Sequence, residues 1–181
     1  MQNPILTGVV CFWIAAGPAA ALEDGQHGVW LVDQSGTRLH IATIDLRDGA
    51  YELAMEDAAF GDQFLSMRPF KCVEGPEMIW CHVPYPYEIK REISDDLTDL
   101  EYDFLFLWKK AGSYGIDMWN GIYYELQDQG SALVGDIHEL DMNVLSVPPE
   151  AGNLRPLLSK HLEPGDPDSH WLPKLVIGPS G

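Results

Sequence analysis

Three histidines, His40, His82 and His138, fall one each on three separate predicted strands, and three neutral imidazoles converging from a sheet would make a ligand set for a transition metal. A metal-dependent hydrolase is the activity such a set would serve. The run His138-Glu139-Leu140-Asp141-Met142 lacks the second histidine of the helical zinc-protease motif and lies on a predicted strand, so it does not extend that reading. Carboxylates are too numerous for any pair to mark acid and base, with 28 Asp and Glu against 11 Lys and Arg. Glu163, Asp166 and Asp168 sit close together, yet the Asp-x-Asp-x-Asp-Gly calcium loop is missing and Pro167 restricts the geometry. Ser35, Ser113 and Ser131 all lie in predicted turns and there is no Gly-x-Ser-x-Gly; no glycine loop cradles a phosphate and no dinucleotide fingerprint occurs. The sequence therefore asks for no cofactor.

Aromatic side chains are the other candidates for function. Tyr85 and Tyr87 alternate with prolines, and Tyr114, Trp119, Tyr123 and Tyr124 cluster around loops and strand ends, where amphipathic rings commonly make binding surfaces. Core packing accounts for most of them, but the strand pattern leaves Tyr85, Tyr87 and Trp119 in loops. With Trp30, Trp80, Trp108 and Tyr124 they form the expected lining of a ligand site in a barrel mouth or cleft.

The compartment is read from the amino end and the cysteines. Residues 1–21 hold no charged side chain; an apolar run from Ile5 to Ala16, too short to span a bilayer, leads to Ala19-Ala20-Ala21, a small-residue cleavage site, so 1–21 reads as a signal peptide. Its removal takes Cys11 away and leaves Cys72 and Cys81 in an oxidising compartment, where a bridge closing a loop of about ten residues is worth about 2–3 kcal/mol in chain-entropy models. Their spacing suits neither a redox pair nor, without a second pair, a zinc site. The formal charge of −17 repels phosphate backbones and anionic lipid surfaces, which excludes nucleic acid as a partner and argues against stable membrane insertion of the cleaved chain.

The elements that must position these residues are mostly strands. Gly28-Val29-Trp30-Leu31-Val32, Thr37 to Leu46 and Tyr51 to Met55 follow one another, joined by Asp33 to Gly36 and by the hairpin signal Asp48-Gly49. On the second of these, Leu39, Ile41 and Thr43 should face one way and His40, Ala42 and Ile44 the other. Phe64, Met67 and Phe70 read as core. A strand from Met78 to Val83 ends at Pro84 and Pro86. Residues 101–109 fit either a strand, with Tyr102, Phe104, Phe106 and Trp108 on one face, or a helix opened by a Thr98/Glu101 capping box; aromatic density favours the strand, after a short helical turn. Asn120 to Leu140 is a second hairpin around Asp128-Gln129-Gly130, with Gly135 marking a bulge or a close backbone approach. Beyond Val147 prolines punctuate the chain, and Trp171 to Ile177 is expected to return as an edge strand because of Pro173. The composition, 46% hydrophobic with six Trp, seven Tyr and six Phe, suffices for one core in a 181-residue chain. The fold class is mainly β: an antiparallel meander over 22–147 forming a small barrel or sandwich, with a proline-rich, irregular extension over 148–181 packing back on it.

Gly28-Val29-Trp30 resembles the Gly-x-Trp that opens the first strand of lipocalins and the wider calycins, and the resemblance implies a barrel around a small apolar ligand. The whole chain resembles secreted proteins of Gram-negative bacteria, which implies a periplasmic or secreted location and supplies no chemistry. The expected function is thus a non-enzymatic periplasmic β-domain binding a small, partly apolar ligand. The alternatives are a protein-interaction module of the cell envelope, docking through its acidic surface and proline-rich tail, and the metal-dependent hydrolase.

Overall fold

The computed structural model describes residues 22–64, 69–93 and 96–180. The signal-peptide expectation for 1–21 and the core placement of Met67 lie outside the described residues. Eleven antiparallel strands form one sheet. They are β1 (Gly25–Val32), β2 (Arg38–Arg47), β3 (Ala50–Met55), β4 (Gly61–Phe64), β5 (Pro69–Glu74), β6 (Met78–His82), β7 (Phe106–Lys110), β8 (Gly121–Asp128), β9 (Leu133–Leu140), β10 (Leu162–Pro164) and β11 (Lys174–Pro179), with one short helix, α1 (Thr98–Asp103).

The strand order is β3-β2-β1-β11-β9-β8-β7-β6-β5-β4, with β10 alongside β9. Two meanders, β1 to β3 and β4 to β9, are joined edge to edge by β11. This strand pairs with β1 over His27 to Val32 and with β9 over Leu133 to Asp136, so it is central. The expectation of an edge strand fails because Pro173 stands just before the first paired residue, where its missing N–H removes nothing from either ladder. The far half of β9, His138 to Leu140, pairs with β10. Residues from the proline-rich stretch thereby complete the middle of the sheet.

The two ends of the strand order, β3 and β4, are consecutive in the chain and separated only by residues 56–60. That link reaches at most about 20 Å, so the sheet must curl back until its edges approach. It does not close, since no ladder joins β3 to β4 among the described residues, and the barrel implied by the lipocalin likeness is replaced by an open, curled sheet. The free edge of β3 is instead covered by the strap Arg91 to Ile93: Tyr51 N donates to Arg91 O at 3.0 Å and Ile93 N to Gly49 O at 2.6 Å.

Inside the curl, Leu31, Ile44, Trp80, Phe106, Tyr124 and Ile177 are fully buried in one cluster. A second cluster, with Tyr102, Leu105, Leu107, Tyr123 and Leu140, fills the other face of β7 to β9. From Phe104 to Trp108 the alternation read from the sequence holds. Tyr102 is the exception, because residues 98–103 are helical and the strand begins only at Phe106. The expected alternation along β2 also breaks. Val29 pairs with Ala42 and Trp30 with His40, which leaves Ile41 as an unpaired bulge and turns Ala42, Ile44 and Leu46 inward beyond it. The hairpin loop between β8 and β9 forms as read, with Gly130 at φ +87° and its N–H bonded to Asp128 Oδ1 at 2.6 Å. Cys72 and Cys81 are bonded across the β5/β6 ladder, where they pair directly, and Phe70 packs beside them. Phe64, by contrast, is 75% exposed on β4.

The central place of β11 sets a stability prediction. Leu175→Ala, at a fully buried position, should lower unfolding stability by about 2–4 kcal/mol in urea denaturation, whereas Phe64→Ala should change it by less than about 0.5 kcal/mol.

Candidate functional site

Where β3, the end of β6 and α1 meet, the chain from Val83 to Arg91 runs past them and leaves a cleft of about 430 Å³. Its apolar walls are Leu53 and Met55 from β3 and Ile89 from the crossing segment; Tyr85 and Tyr87 line it too, and its polar members are His82, Glu88, Arg91 and Asp103. Pro84 and Pro86 keep this crossing segment out of any ladder, which is why it is free to pass over the sheet.

The polar floor is built by α1. Six residues are too few for a helix to be stable alone, and the expected capping box does not form: Leu97 is the N-cap, with no side-chain bond. Asp99 and Asp103 lie one turn apart and both face the strap. Asp99 accepts the Lys90 and Glu92 N–H groups at 3.0 and 3.3 Å and pairs with Arg155 Nη1 at 2.6 Å. Asp103 accepts Tyr51 OH at 2.9 Å and a two-pronged grip from Arg91, Nε and Nη2 each at 2.9 Å. Arg91 reaches this position with φ +56°, a left-handed conformation that side chains with a Cβ avoid and that its neighbours hold in place. Glu101 points the other way, accepting Leu126 N at 2.7 Å and the Tyr123 hydroxyl. Among the described residues no cation faces it closely, and burial raises its pKa above the usual glutamate value in spite of those two bonds.

His82 is nine-tenths buried at the inner end of the cleft, and its Nε2 lies 2.8 Å from the carbonyl oxygen of Asp103. A carbonyl only accepts, so Nε2 carries the proton; burial lowers the imidazole pKa, the ring is neutral, and Nδ1 is left with a lone pair. The Tyr85 hydroxyl is buried without a hydrogen-bond partner among the described residues. Burial, with Tyr102 and Tyr87 alongside, pushes its pKa up to about 12, so it stays protonated as a donor. Tyr87 OH is already committed to Leu145 O at 2.7 Å.

Of the expected lining residues, only Tyr85 and Tyr87 share this cleft. Trp80 and Tyr124 are fully buried in the core, Tyr124 OH bonding Leu172 O at 2.7 Å, and Trp108 is half-buried beside the His170 ring. Trp30 lies on the outer face, stacked with His40 at 5.5 Å and beneath Arg38. Its indole covers Gly28, where an added Cβ would come within 2.3 Å of the ring, so the Gly-x-Trp pair serves an external contact here. Trp119, 72% exposed, borders a separate cleft with Val144 and Lys160. The three histidines stay apart in their contacts: His40 faces Glu56 at 3.8 Å, His138 faces Glu125 at 3.4 Å, and His82 binds the α1 backbone. Among the described residues no group of three or more His, Cys, Asp or Glu is placed to hold a metal ion. Arg91, Asp103 and Tyr51 were not legible as site residues; the available signal was Asp103 itself, a charge between Tyr102 and Phe104 that, once buried, requires a partner.

Comparison of the chain with protein-family models, with curated proteins and with solved structures gives no match.

The raised pKa of Glu101 predicts a pH-dependent gain from neutralising it. Its folded-state value lies above the unfolded 4.5, so the penalty of its charge is absent below that pH and grows as pH rises through the folded value. Glu101→Gln, which keeps an acceptor for Leu126 N and can donate to Tyr123, should be more stable than wild type at about pH 7 and lose that advantage at about pH 4, read from denaturant midpoints at the two pH values.

Proposed function

We propose that this chain is a non-enzymatic binding domain of the periplasm or cell exterior that holds a small, partly apolar ligand in the cleft between β3 and the Val83 to Arg91 crossing. The observation that carries the reading is a lining that sets apolar walls, Leu53, Met55 and Ile89, beside polar groups with hydrogen-bonding capacity to spare, His82 Nδ1 and Arg91 Nη1. Apolar walls with a few convergent polar atoms are the usual makeup of small-molecule sites, and the cleft volume lies within their range. Binding is favoured over catalysis because Asp103, the carboxylate on the floor, is held by three hydrogen bonds from Arg91 and Tyr51 as a structural anchor. The oxidised Cys72–Cys81 pair supports an extracytoplasmic location.

Protein purified from the periplasm should carry extra mass in native mass spectrometry that is lost on denaturation, and its denatured mass should show cleavage after residue 21 and a deficit of two hydrogens for the bridge. Leu53→Trp, which fills the cleft, should abolish the bound mass. A bare wild-type protein whose binding of a hydrophobic dye is unchanged by Leu53→Trp would overturn the assignment of this cleft.

A further inference from the structure

Resting on the reading of this cleft as a binding site, the geometry points to an uncharged, hydroxyl-bearing ligand, a sugar ring or similar polyol with an apolar face or substituent, in preference to an anion or a cation of the same size. The cleft offers donors and acceptors at once. Arg91 spends Nε and Nη2 on Asp103, which leaves the Nη1 N–H groups as donors. His82 Nδ1 is an acceptor by the tautomer that the Asp103 carbonyl imposes, and Glu88, exposed at the mouth, adds carboxylate oxygens.

Charge selects among ligands that could use these groups. The Arg91 cation is already balanced by Asp103, so the charge left uncompensated on the lining is that of Glu88. A carboxylate would bring its lone pairs against those of His82 Nδ1 and its charge against Glu88. An ammonium group would satisfy those two acceptors but has no acceptor of its own, so it leaves the Nη1 donors unmatched. A hydroxyl both donates and accepts, so a ring bearing several can satisfy Arg91, His82 and Glu88 together without adding charge. The C–H faces of such a ring are apolar and suit the walls of Leu53 and Met55.

The test is calorimetric titration of the full chain with three probes that share one tail: n-hexyl glucoside, hexanoate and hexylamine. Hexyl glucoside is expected to bind at least about tenfold more tightly than either charged probe. Glu88→Ala, at an exposed position on the lining, should weaken glucoside binding several-fold while leaving the unfolding midpoint unchanged. If hexanoate or hexylamine binds as tightly as the glucoside, and Leu53→Trp abolishes that binding, the ligand class is wrong and the cleft reading stands. If none of the three binds, or binding survives both Glu88→Ala and Leu53→Trp, the cleft reading falls and this inference with it.

Discussion

Three carboxylates on one short helix hold this molecule's working parts in register. A buried carboxylate must be paired or hydrogen-bonded, and Asp99, Glu101 and Asp103 meet that demand by reaching three different parts of the chain. Asp99 fixes the strap backbone and Arg155, Asp103 fixes Arg91 and Tyr51, and Glu101 fixes the β8 backbone and Tyr123. The helix could not persist in isolation; it exists because its side chains are bound, and those bonds in turn set where the strap and the crossing segment lie. The floor of the cleft is a by-product of this arrangement, since the same Asp103 offers its carboxylate to Arg91 and its backbone carbonyl to His82.

The curled sheet explains why the cleft lies where it does. β3 and β4 end the strand order yet are tethered by a five-residue link, so the sheet bends sharply without room for a further ladder. An uncovered edge would invite pairing with another chain, and the strap occupies the β3 edge with backbone bonds of its own. To do so it must leave β6, cross the sheet end and turn at Arg91, and that path encloses the cleft. The core under the curl is filled by Trp80, Phe106 and Tyr124, and the candidate cleft lies at the rim.

Much of the local structure was legible because it is set by near neighbours. Asp48-Gly49 and Gly130 carry the positive φ their turns require, proline ends β6, and alternation from Phe104 to Trp108 assigns side chains to two faces correctly. The failures share one cause. His40 was wrongly grouped with Ala42 and Ile44 because a bulge depends on the partner strand, Glu101 to Asp103 were read as strand because the helix that takes them in is held by distant groups, and Trp171 to Ile177 was read as an edge because centrality depends on which edges come to lie beside it. Of the candidate site, Tyr85, Tyr87 and His82 were marked, but as members of two different sites; Arg91 and Asp103, which join them, gave no periodic signal.

By itself, the sequence determined a mainly β, antiparallel domain with its turns, its disulfide pair and a strongly acidic surface, all properties of composition and of residues a few positions apart. The tertiary structure alone decided that β11 completes the sheet, that the sheet stays open, and that a neutral His82, the Tyr85 ring and the Arg91–Asp103 pair share one cleft. The reason is that a side chain's protonation, burial and free valences depend on groups that meet only when the chain has folded, and no spacing along the chain records those meetings.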